Sequence, residues 1–354
     1  MPLVPWWFNF YSFERFDMET ILLLTAVEAD GKINKAGLEA ATAAKNLASA
    51  LGGAKLIAGL FGEKASSAAG SLAGAGFEKA LAVEDSALAQ PRYATDSAAC
   101  EALVKASGAS IVIAPAVSRL QRVIAGVAQR TGGKVDTHLT ELNAEGGSPL
   151  ITRWFYRQRM FAQIKRTQRP WFLTVDPGTC PAHSGSGSLS AEKIAFTPPA
   201  TQTKVTGLKS PSSGAQTIRP DADLLFVAGA GWCKKQADGQ LHVPEAEKTI
   251  LAFLDKTKAS LGGSKSVVDQ TGEGAVLSFM GHLNQIGQTG STPRHPKGLA
   301  TCCHGEEPHV VGWRFITERR AVNLNANCGW AQGKADVLYV ADAFKVMAKV
   351  NELL

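Results

Sequence analysis

Short apolar stretches alternate with longer stretches of mixed polarity over the first third of the chain. The apolar stretches predict strands at residues 21–27, 55–61, 79–83 and 110–115, and the stretches of mixed polarity predict helices at residues 35–51, 64–75, 97–107 and 119–129. Strands joined by helical crossovers form parallel sheets with helices on both faces. From residue 135 to residue 175 polar and apolar positions alternate, which predicts antiparallel strands added at the edge of that sheet.

The second half of the chain repeats the α/β pattern after an interruption. Residues 176–221 are rich in Gly, Ser, Thr and Pro, and we interpret them as a linker. Beyond them the pattern predicts a helix at residues 244–261 and strands at residues 224–227, 266–269, 321–324 and 337–340. The predicted organisation is an extension at residues 1–17, an α/β domain at 18–175, the linker, and a doubly wound α/β domain at 222–354.

Composition and charge narrow the class of protein. The chain has 354 residues, 45% of them hydrophobic and 19% charged, which is typical of a folded protein with two cores. No apolar run is long enough to span a bilayer. The net charge of +6 permits a nucleic-acid partner, but the basic residues are scattered and we predict none. Only residues 153–169 are dense in Arg and Lys, and we interpret them as strands with a solvated basic face, with an acidic-protein docking face or a phosphate site as the alternatives.

The six cysteines and the first 17 residues bear on the compartment. So few cysteines in so long a chain indicate reduced thiols in a cytosolic or matrix compartment rather than a disulfide framework. Residues 1–16 lack the features of a secretory signal and of a transit peptide. We interpret them as a simple extension. The alternatives are that their aromatic side chains lie at a membrane interface or pack on a partner protein.

Two polar, glycine-rich segments are the candidate binding elements. Gly229, Gly231 and Trp232 follow the strand predicted at 224–227, and residues 261–290 contain Gly, Gln, Ser and Thr beside the strand predicted at 266–269. Segments of this kind place backbone amides at the carboxyl edge of an open α/β sheet, where nucleotides bind. Glycine in such a turn also lets the backbone come close to a phosphate.

The second of these segments also resembles a known family. Residues 262–269, G-G-S-K-S-V-V-D, and residues 285–290, Q-I-G-Q-T-G, are similar to the G-x-S-R-x-x-V-D and Q-V-G-Q-T-G motifs of electron transfer flavoprotein alpha subunits. The resemblance covers most of the chain from about residue 18 and is strongest after residue 221. It implies two α/β domains, of which the carboxyl-terminal one binds FAD.

The resemblance also implies the residues that contact FAD. They are Ser264, Lys265, Gln285, Gly287, Gln288, Thr289, Gly290, Gly305, His309, Asn325 and Asp342. Lys265 replaces an arginine beside the flavin ring and keeps its positive charge. Thr289, Gln288 and His309 would donate to the polar edge of the ring, and Asn325 and Asp342 would bind the adenosine portion.

Function follows from the same resemblance. It implies an electron carrier rather than a stand-alone catalyst, so no catalytic residue is predicted. The implied partner is a beta subunit that holds AMP. The implied electron donors are flavin dehydrogenases of the acyl-CoA dehydrogenase type, and the acceptor is a quinone-linked oxidoreductase. The implied location is the mitochondrial matrix or the bacterial cytoplasm.

Several residues depart from the family's motifs. Gly231 stands where the family has an arginine, Trp232 replaces a glycine, Ser291 replaces a lysine, and Glu306 and Glu307 lie in the segment that leads to His309. These departures favour an alternative, a degenerate paralogue that serves as a non-redox scaffold or accessory subunit. A third hypothesis, an NAD-dependent enzyme, lacks a complete G-x-G-x-x-G fingerprint.

Other polar residues receive simpler interpretations. Cys302, Cys303, His304, His309 and Cys328 include groups that zinc accepts, but without C-x-x-C spacing we interpret the cysteines as buried thiols, with zinc as the alternative. Asp136, His138, His282 and His295 are interpreted as solvated polar side chains.

Overall fold

The structure is a computed structural model that describes residues 18–155, 160–207, 218–219, 221–269, 275–287, 292–301, 316–326 and 335–354. Two mostly parallel sheets with packed helices confirm the predicted α/β class. Among the described helices, none has the length and apolar character needed to cross a membrane. The aromatic extension at residues 1–17 lies outside the described residues.

The first sheet has nine strands in the order β7-β6-β5-β8-β4-β1-β2-β3-β9. Its strands are β1 (Thr20–Ala26), β2 (Lys55–Gly62), β3 (Lys79–Glu84), β4 (Ile111–Pro115), β5 (Lys134–Glu145), β6 (Ser148–Phe155), β7 (Met160–Ile164), β8 (Trp171–Val175) and β9 (Ala191–Lys193). The β5–β6 and β6–β7 pairs are antiparallel, as predicted for the sheet edge, and the other pairs are parallel. The prediction is wrong for β8, which lies inside the sheet and pairs in parallel with β4 and β5, because its five residues are buried on both faces.

Helices cover both faces of this sheet. They are α1 (Lys35–Ala50), α2 (Tyr93–Ser107), α3 (Ser118–Gln121) and α4 (Ile124–Arg130). Alternate residues of β1 point to opposite faces, so Ile21 and Leu23 pack in the core beneath α1, while Leu22 and Leu24 pack in the core beneath α2 and α4. All four side chains are fully buried, which is why the sequence of this strand is a continuous apolar run.

Three helix predictions differ from the structure in detail. The helix predicted at 97–107 begins four residues earlier, at Tyr93. The segment predicted at 64–75 is a 3₁₀ helix over Ala65–Leu72, and the one predicted at 119–129 is divided into α3 and α4. Short elements whose packing is set by tertiary contacts have boundaries that sequence patterns locate poorly.

Part of the segment interpreted as a linker packs on the first sheet. Strand β9 pairs in parallel with β3, and Ile194 and Phe196 lie against the core beneath α2. Leu189 and Ala191 lie against the core on the opposite face.

The interpretation of residues 153–169 as a solvated basic face is wrong for three arginines. Arg166 Nη2 lies 3.0 Å from Asp136 Oδ1, and Arg153 Nη1 lies 3.6 Å from the same oxygen. Arg169 binds Glu19 through its Nε at 2.9 Å. These arginines therefore hold carboxylates that lie elsewhere in the sequence, a long-range pairing that a local charge pattern does not reveal.

Asp136 itself is buried rather than solvated, contrary to prediction. Its carboxylate also accepts a hydrogen bond of 2.9 Å from Trp171 Nε1. A bulge separates Asp136 from Leu139 in the pairing with β8, and His138 within it has a left-handed φ of 60°. The bulge leaves His138 about half exposed, with Nδ1 3.0 Å from Asp176 Oδ1.

The second sheet has five parallel strands in the order β11-β10-β12-β13-β14. Its strands are β10 (Leu224–Ala228), β11 (Ser260–Gly263), β12 (His295–Thr301), β13 (Ile316–Asn323) and β14 (Val337–Val340). Its helices are α5 (Val243–Thr257), the single turn α6 (Lys265–Val268) and α7 (Ala343–Leu353). Phe226, Ile250, Phe253 and Met347 share one core with α5 and α7.

The strand predicted at 266–269 is wrong. Helix α5 ends at Thr257 because Lys258 adopts a left-handed conformation at φ 54°, and the chain then forms β11 over Ser260–Gly263. Ser264 caps the next turn by accepting a hydrogen bond of 3.3 Å from Val267 N, so Lys265–Val268 is helical. Strand β11 was missed because two of its four residues are glycine, which has low strand propensity.

Candidate functional site

The carboxyl ends of all five parallel strands meet at one edge of the second sheet. The strand order reverses at β10, since the chain crosses from it to β11 on one side and returns to β12 on the other. Open α/β sheets bind ligands outside the carboxyl ends of strands at such a reversal. Here the turn after β10 is tied to the end of β12 by a hydrogen bond of 2.8 Å from Gly229 N to Thr301 O.

The turn from β11 to α6 carries the first group of predicted residues. Ser264 is buried, and its backbone N donates to Ala228 O at 3.0 Å. A Cβ at Gly263 would lie 2.5 Å from Met280 Cε and 2.8 Å from Val267 Cγ1, so only glycine fits there without a shift. Lys265 projects from the turn and is exposed, with Nζ 3.7 Å from an Asp269 carboxylate oxygen. The Ser264 hydroxyl and amide are therefore engaged within the fold, and the turn presents the Lys265 ammonium group.

The turn at Gln285–Gly287 lies beside the β11–α6 turn. Gln285 pairs with Gly263 as an isolated parallel bridge, and Ile286 N donates to Gly263 O at 3.1 Å. Gly287 has φ 77°, which favours glycine, and its N donates to Thr292 Oγ1 at 2.8 Å. The fold thus brings together the two stretches, residues 262–269 and 285–290, whose sequences resemble the family's motifs.

Asn325 and Asp342 lie at the same edge, after β13 and β14. Asn325 is exposed, and its carbonyl oxygen accepts a hydrogen bond of 3.0 Å from Asn323 Nδ2. Asp342 caps α7 by accepting from Phe344 N at 2.9 Å. It also lines an open cleft of about 350 Å³ whose wall includes His242 and Glu245 from the start of α5.

A histidine that lies between two carboxylates lines the cleft beside Asp342. His242 Nε2 lies 2.7 Å from Asp238 Oδ2, and Nδ1 lies 3.3 Å from a Glu245 oxygen. The hydrogen bond to Asp238 raises the pKa of His242, and the charges of Asp238 and Glu245 add to the effect. Sequence reasoning gave no role to this group, because its members come together only through the turn at residues 236–240.

Trp232 lies in the core and not in the space above the sheet edge. Its side chain is fully buried, and Nε1 donates to Thr301 Oγ1 at 2.8 Å. Its ring packs against Phe344 of α7 with the centroids 4.5 Å apart. A large side chain where the family has glycine thus joins the turn after β10 to the first turn of α7.

The carboxyl edge of the first sheet is partly covered by the second sheet. Asp176 follows β8, and its Oδ2 lies 3.3 Å from Nε of Arg294, the residue before β12. Lys35, the first residue of α1, forms an ion pair of 2.7 Å with Asp223, the residue before β10. Both contacts join the carboxyl edge of the first sheet to the amino edge of the second. The carboxyl edge of the second sheet therefore faces away from this contact.

Five predicted site residues lie outside the described residues: Gln288, Thr289, Gly290, Gly305 and His309. The zinc alternative at Cys302, Cys303, His304, His309 and Cys328 also lies outside them, as do Ser291, Glu306 and Glu307. Within the described ranges, no three His, Cys, Asp or Glu side chains gather as metal ligands. Three described cysteines, Cys100, Cys180 and Cys233, are free thiols.

His295 is buried, which overturns its interpretation as a solvated loop residue. It opens β12, with Nε2 2.9 Å from Arg219 O and 3.1 Å from Ser260 Oγ. Its other ring nitrogen, Nδ1, lies 3.0 Å from Pro293 O. Burial lowers the pKa of His295, and the two carbonyl contacts only partly oppose that effect.

Burial of His295 predicts a loss of stability toward acid. Because the folded pKa is lowered, the unfolded chain binds the proton more readily as pH falls below the ordinary value of about 6.5. We expect the free energy of unfolding to fall there with a slope of at most about 1.4 kcal/mol per pH unit. Denaturant unfolding at a series of pH values from 8 to 5 measures this slope. His295→Gln should remove this slope, and the exposed control His282→Gln should keep it; equal slopes in both would contradict the assignment.

Sequence comparison identifies the class to which this fold belongs. Residues 21–201 match the Electron transfer flavoprotein domain. The matched region includes β1–β9 and covers more than half of the chain. The chain is therefore a member of the electron transfer flavoprotein family. No curated protein matches the sequence significantly.

Proposed function

We propose that the chain is an alpha-type subunit of an electron transfer flavoprotein and that it binds FAD at the carboxyl edge of the second sheet. The observation that carries the proposal is the meeting of the β11–α6 turn and the Gln285–Gly287 turn beside the strand-order reversal at β10. Membership of the family supports a flavin-linked role, and the position of these turns supports the second sheet as the site.

The chemistry of the described groups fits a dinucleotide. The backbone amide of Lys265, at the start of α6, suits a phosphate oxygen. The Ser264 amide already donates to Ala228 O. The Asp342 carboxylate suits a ribose hydroxyl as an acceptor. Lys265 supplies positive charge near the ring, and Gln285 supplies an amide donor. FAD, when bound, supplies the electron-accepting ring, and the protein's part is to bind and orient it.

The proposal extends to partners and place of action. A beta subunit that holds AMP would complete the flavin's surroundings. Flavin dehydrogenases of the acyl-CoA dehydrogenase type would deliver electrons, and a quinone-linked oxidoreductase would receive them. The compartment would be the mitochondrial matrix or the bacterial cytoplasm.

A second candidate is a non-redox accessory subunit that has lost its flavin. The specific observation in its favour is Trp232, which occupies the position of a family glycine in the turn after β10. In that case the chain would pair with a beta subunit and remain colourless. Flavin content separates the two candidates.

We expect the chain, purified with its beta subunit, to carry FAD in about equal amount, as measured by flavin absorbance after extraction. Lys265→Gln should weaken FAD binding about fivefold, because it removes roughly 1 kcal/mol of attraction between an exposed cation and the reduced ring or phosphates. The matched control is Lys248→Gln on α5, which changes the net charge equally. A colourless complex that takes up no added FAD rejects the proposal, and equal affinities of both variants reject the role of Lys265.

A further inference from the structure

An open groove of about 440 Å³ lies at the amino edge of the first sheet, and its volume is within the range of ligand pockets. Pro170, just before β8, and Ala109, just before β4, line the groove together with Val104 of α2. Lys105 and Arg130 also line it. Val104 and Ala109 are buried, whereas the two cations are exposed. This amino-edge groove therefore combines an apolar part with a charged part.

Strand β1 begins beside the amino-edge groove. The carboxylate of Glu19, the residue before β1, accepts a hydrogen bond of 2.9 Å from Arg169 Nε and another from Ser110 Oγ. Arg169 directly precedes Pro170 of the groove. Ser110 directly follows Ala109 of the groove. The two side chains that hold Glu19 are thus sequence neighbours of groove residues, and the chain that leads into β1 passes next to the groove.

The segment that leads into β1 is rich in aromatic residues. Residues 1–17 contain seven aromatic and three charged residues. Phe16 is the aromatic residue nearest to β1, and it lies three residues before Glu19. Three extended residues span about 10 Å, so Phe16 is within reach of the groove. Aromatic rings favour sites that remove their large apolar surface from water.

The charges of the groove and of the extension are complementary. Lys105 Nζ lies 2.7 Å from one oxygen of Glu101, and Arg130 Nη1 lies 3.8 Å from the other. Two cations share this one carboxylate, which leaves one positive charge in excess at the groove. The extension carries Glu14 and Asp17 on either side of Phe16. A carboxylate next to the ring therefore meets a net attraction at the groove.

Two other occupants fit less well. A membrane surface attracts segments with clustered Lys and Arg, whereas the extension has Arg15 as its one base, between two acids. A second copy of the chain would compete with a segment tethered three residues away, whose effective concentration is on the order of millimolar. The tether therefore favours the chain's own extension.

We propose that residues 1–17 dock on the amino edge of the first sheet of the same chain, with Phe16 seated in the amino-edge groove and Asp17 beside Lys105 and Arg130. Docking there would remove apolar surface of the extension from water and cover the amino end of β1. The inference does not depend on the proposed FAD site, because the groove lies on the other sheet.

A photo-crosslinking experiment on the full chain tests the position of Phe16. A benzophenone analogue of phenylalanine replaces Phe16, and mass spectrometry maps the crosslinked peptides after irradiation. We expect crosslinks within one chain to the peptides that contain residues 104–109 or Pro170. The control places the same analogue at Leu353, an exposed residue of α7, where no crosslink to the groove is expected.

Limited proteolysis tests the contribution of the charges. Arg15 is the one trypsin site in residues 1–17, so release of the peptide that ends at Arg15 reports on this bond alone. Cleavage requires the undocked state. We expect the double variant Lys105→Glu and Arg130→Glu to release the peptide about fivefold faster than the parent, because two attractive surface contacts become repulsive. The matched control, Lys45→Glu with Lys248→Glu, changes the net charge equally at two exposed positions and should release it at the parent's rate.

The outcomes separate the possible occupants. Thermal unfolding first establishes that both double variants are folded. Crosslinks to the groove within one chain, together with faster release from the Lys105 and Arg130 variant, support the proposal. Crosslinks that join two chains, crosslinks outside the groove, or equal release rates overturn it. Loss of the groove crosslink on addition of phosphatidylcholine vesicles also overturns it and assigns the extension to a membrane.

Discussion

Asp136→Ala is expected to destabilise the first sheet by about 3 kcal/mol, which corresponds to a fall in Tm of roughly 6–12 °C. The buried carboxylate receives hydrogen bonds from Arg166 and Trp171 and lies 3.6 Å from Arg153 Nη1. Its removal leaves two guanidinium groups and a buried indole N–H without their acceptor. The estimate is at the low end of the range for buried pairs, because Arg166 is about one-third exposed and water screens part of its charge.

Lowering the pH should destabilise the parent protein in part as Asp136→Ala does, because it protonates the same carboxylate. Burial alone would raise the pKa of Asp136, but the hydrogen bonds from Arg166 and Trp171 and the charge of Arg153 outweigh it and hold the pKa below its ordinary value. The stabilisation is therefore present above pH 4 and is lost as pH falls through the folded pKa. Thermal unfolding at pH 7 and below pH 4 measures both effects. Glu145→Ala, which removes an exposed carboxylate on the same strand, is the control, and an equal effect of the two substitutions would contradict a buried network.

The order of strands and helices from β1 to α4 was predictable because it depends on local periodicity. In the first half, buried parallel strands such as β1 and β4 are continuous apolar runs, and Ala-rich α1 is bounded by the cap at Asn34. Strand β11 was not predictable, because Gly262 and Gly263 carry no apolar side chains and their strand conformation depends on pairing with β10. The burial of His295 was not predicted for the same reason, because pairing between distant segments decides whether a polar residue lies in the protein interior.

The candidate site was predictable as a set of segments but not as a geometry. The likeness of residues 262–269 and 285–290 to family motifs marked both segments, and the structure brings Gly263 and Gln285 into register. The core position of Trp232 depends on its contact with Phe344 of α7, which is far away in sequence. Local motifs therefore locate the edge where a ligand would bind, and tertiary packing decides which side chains line it.

Trp232→Ala is expected to destabilise the second sheet and its helices by about 3–5 kcal/mol, the range for truncating a buried aromatic side chain. The ring is fully buried against Phe344, and Nε1 donates to Thr301 Oγ1, so truncation opens a cavity between the turn after β10 and α7. The cavity lies next to the helix that Asp342 caps. We therefore expect FAD content to fall together with stability.

Thermal unfolding and flavin extraction on the same preparation test the role of Trp232. Trp232→Phe keeps an aromatic ring in the core and loses the N–H donor and the volume of the second ring, so it should retain more of the stability than Trp232→Ala. Tyr339→Ala on β14 is the matched control, because that aromatic ring is 55% exposed and its truncation should cost little. If Trp232 instead obstructs the binding edge, Trp232→Ala will gain flavin relative to the parent while remaining folded. That result would replace the core role with a blocking one and would favour the accessory-subunit candidate over the electron carrier.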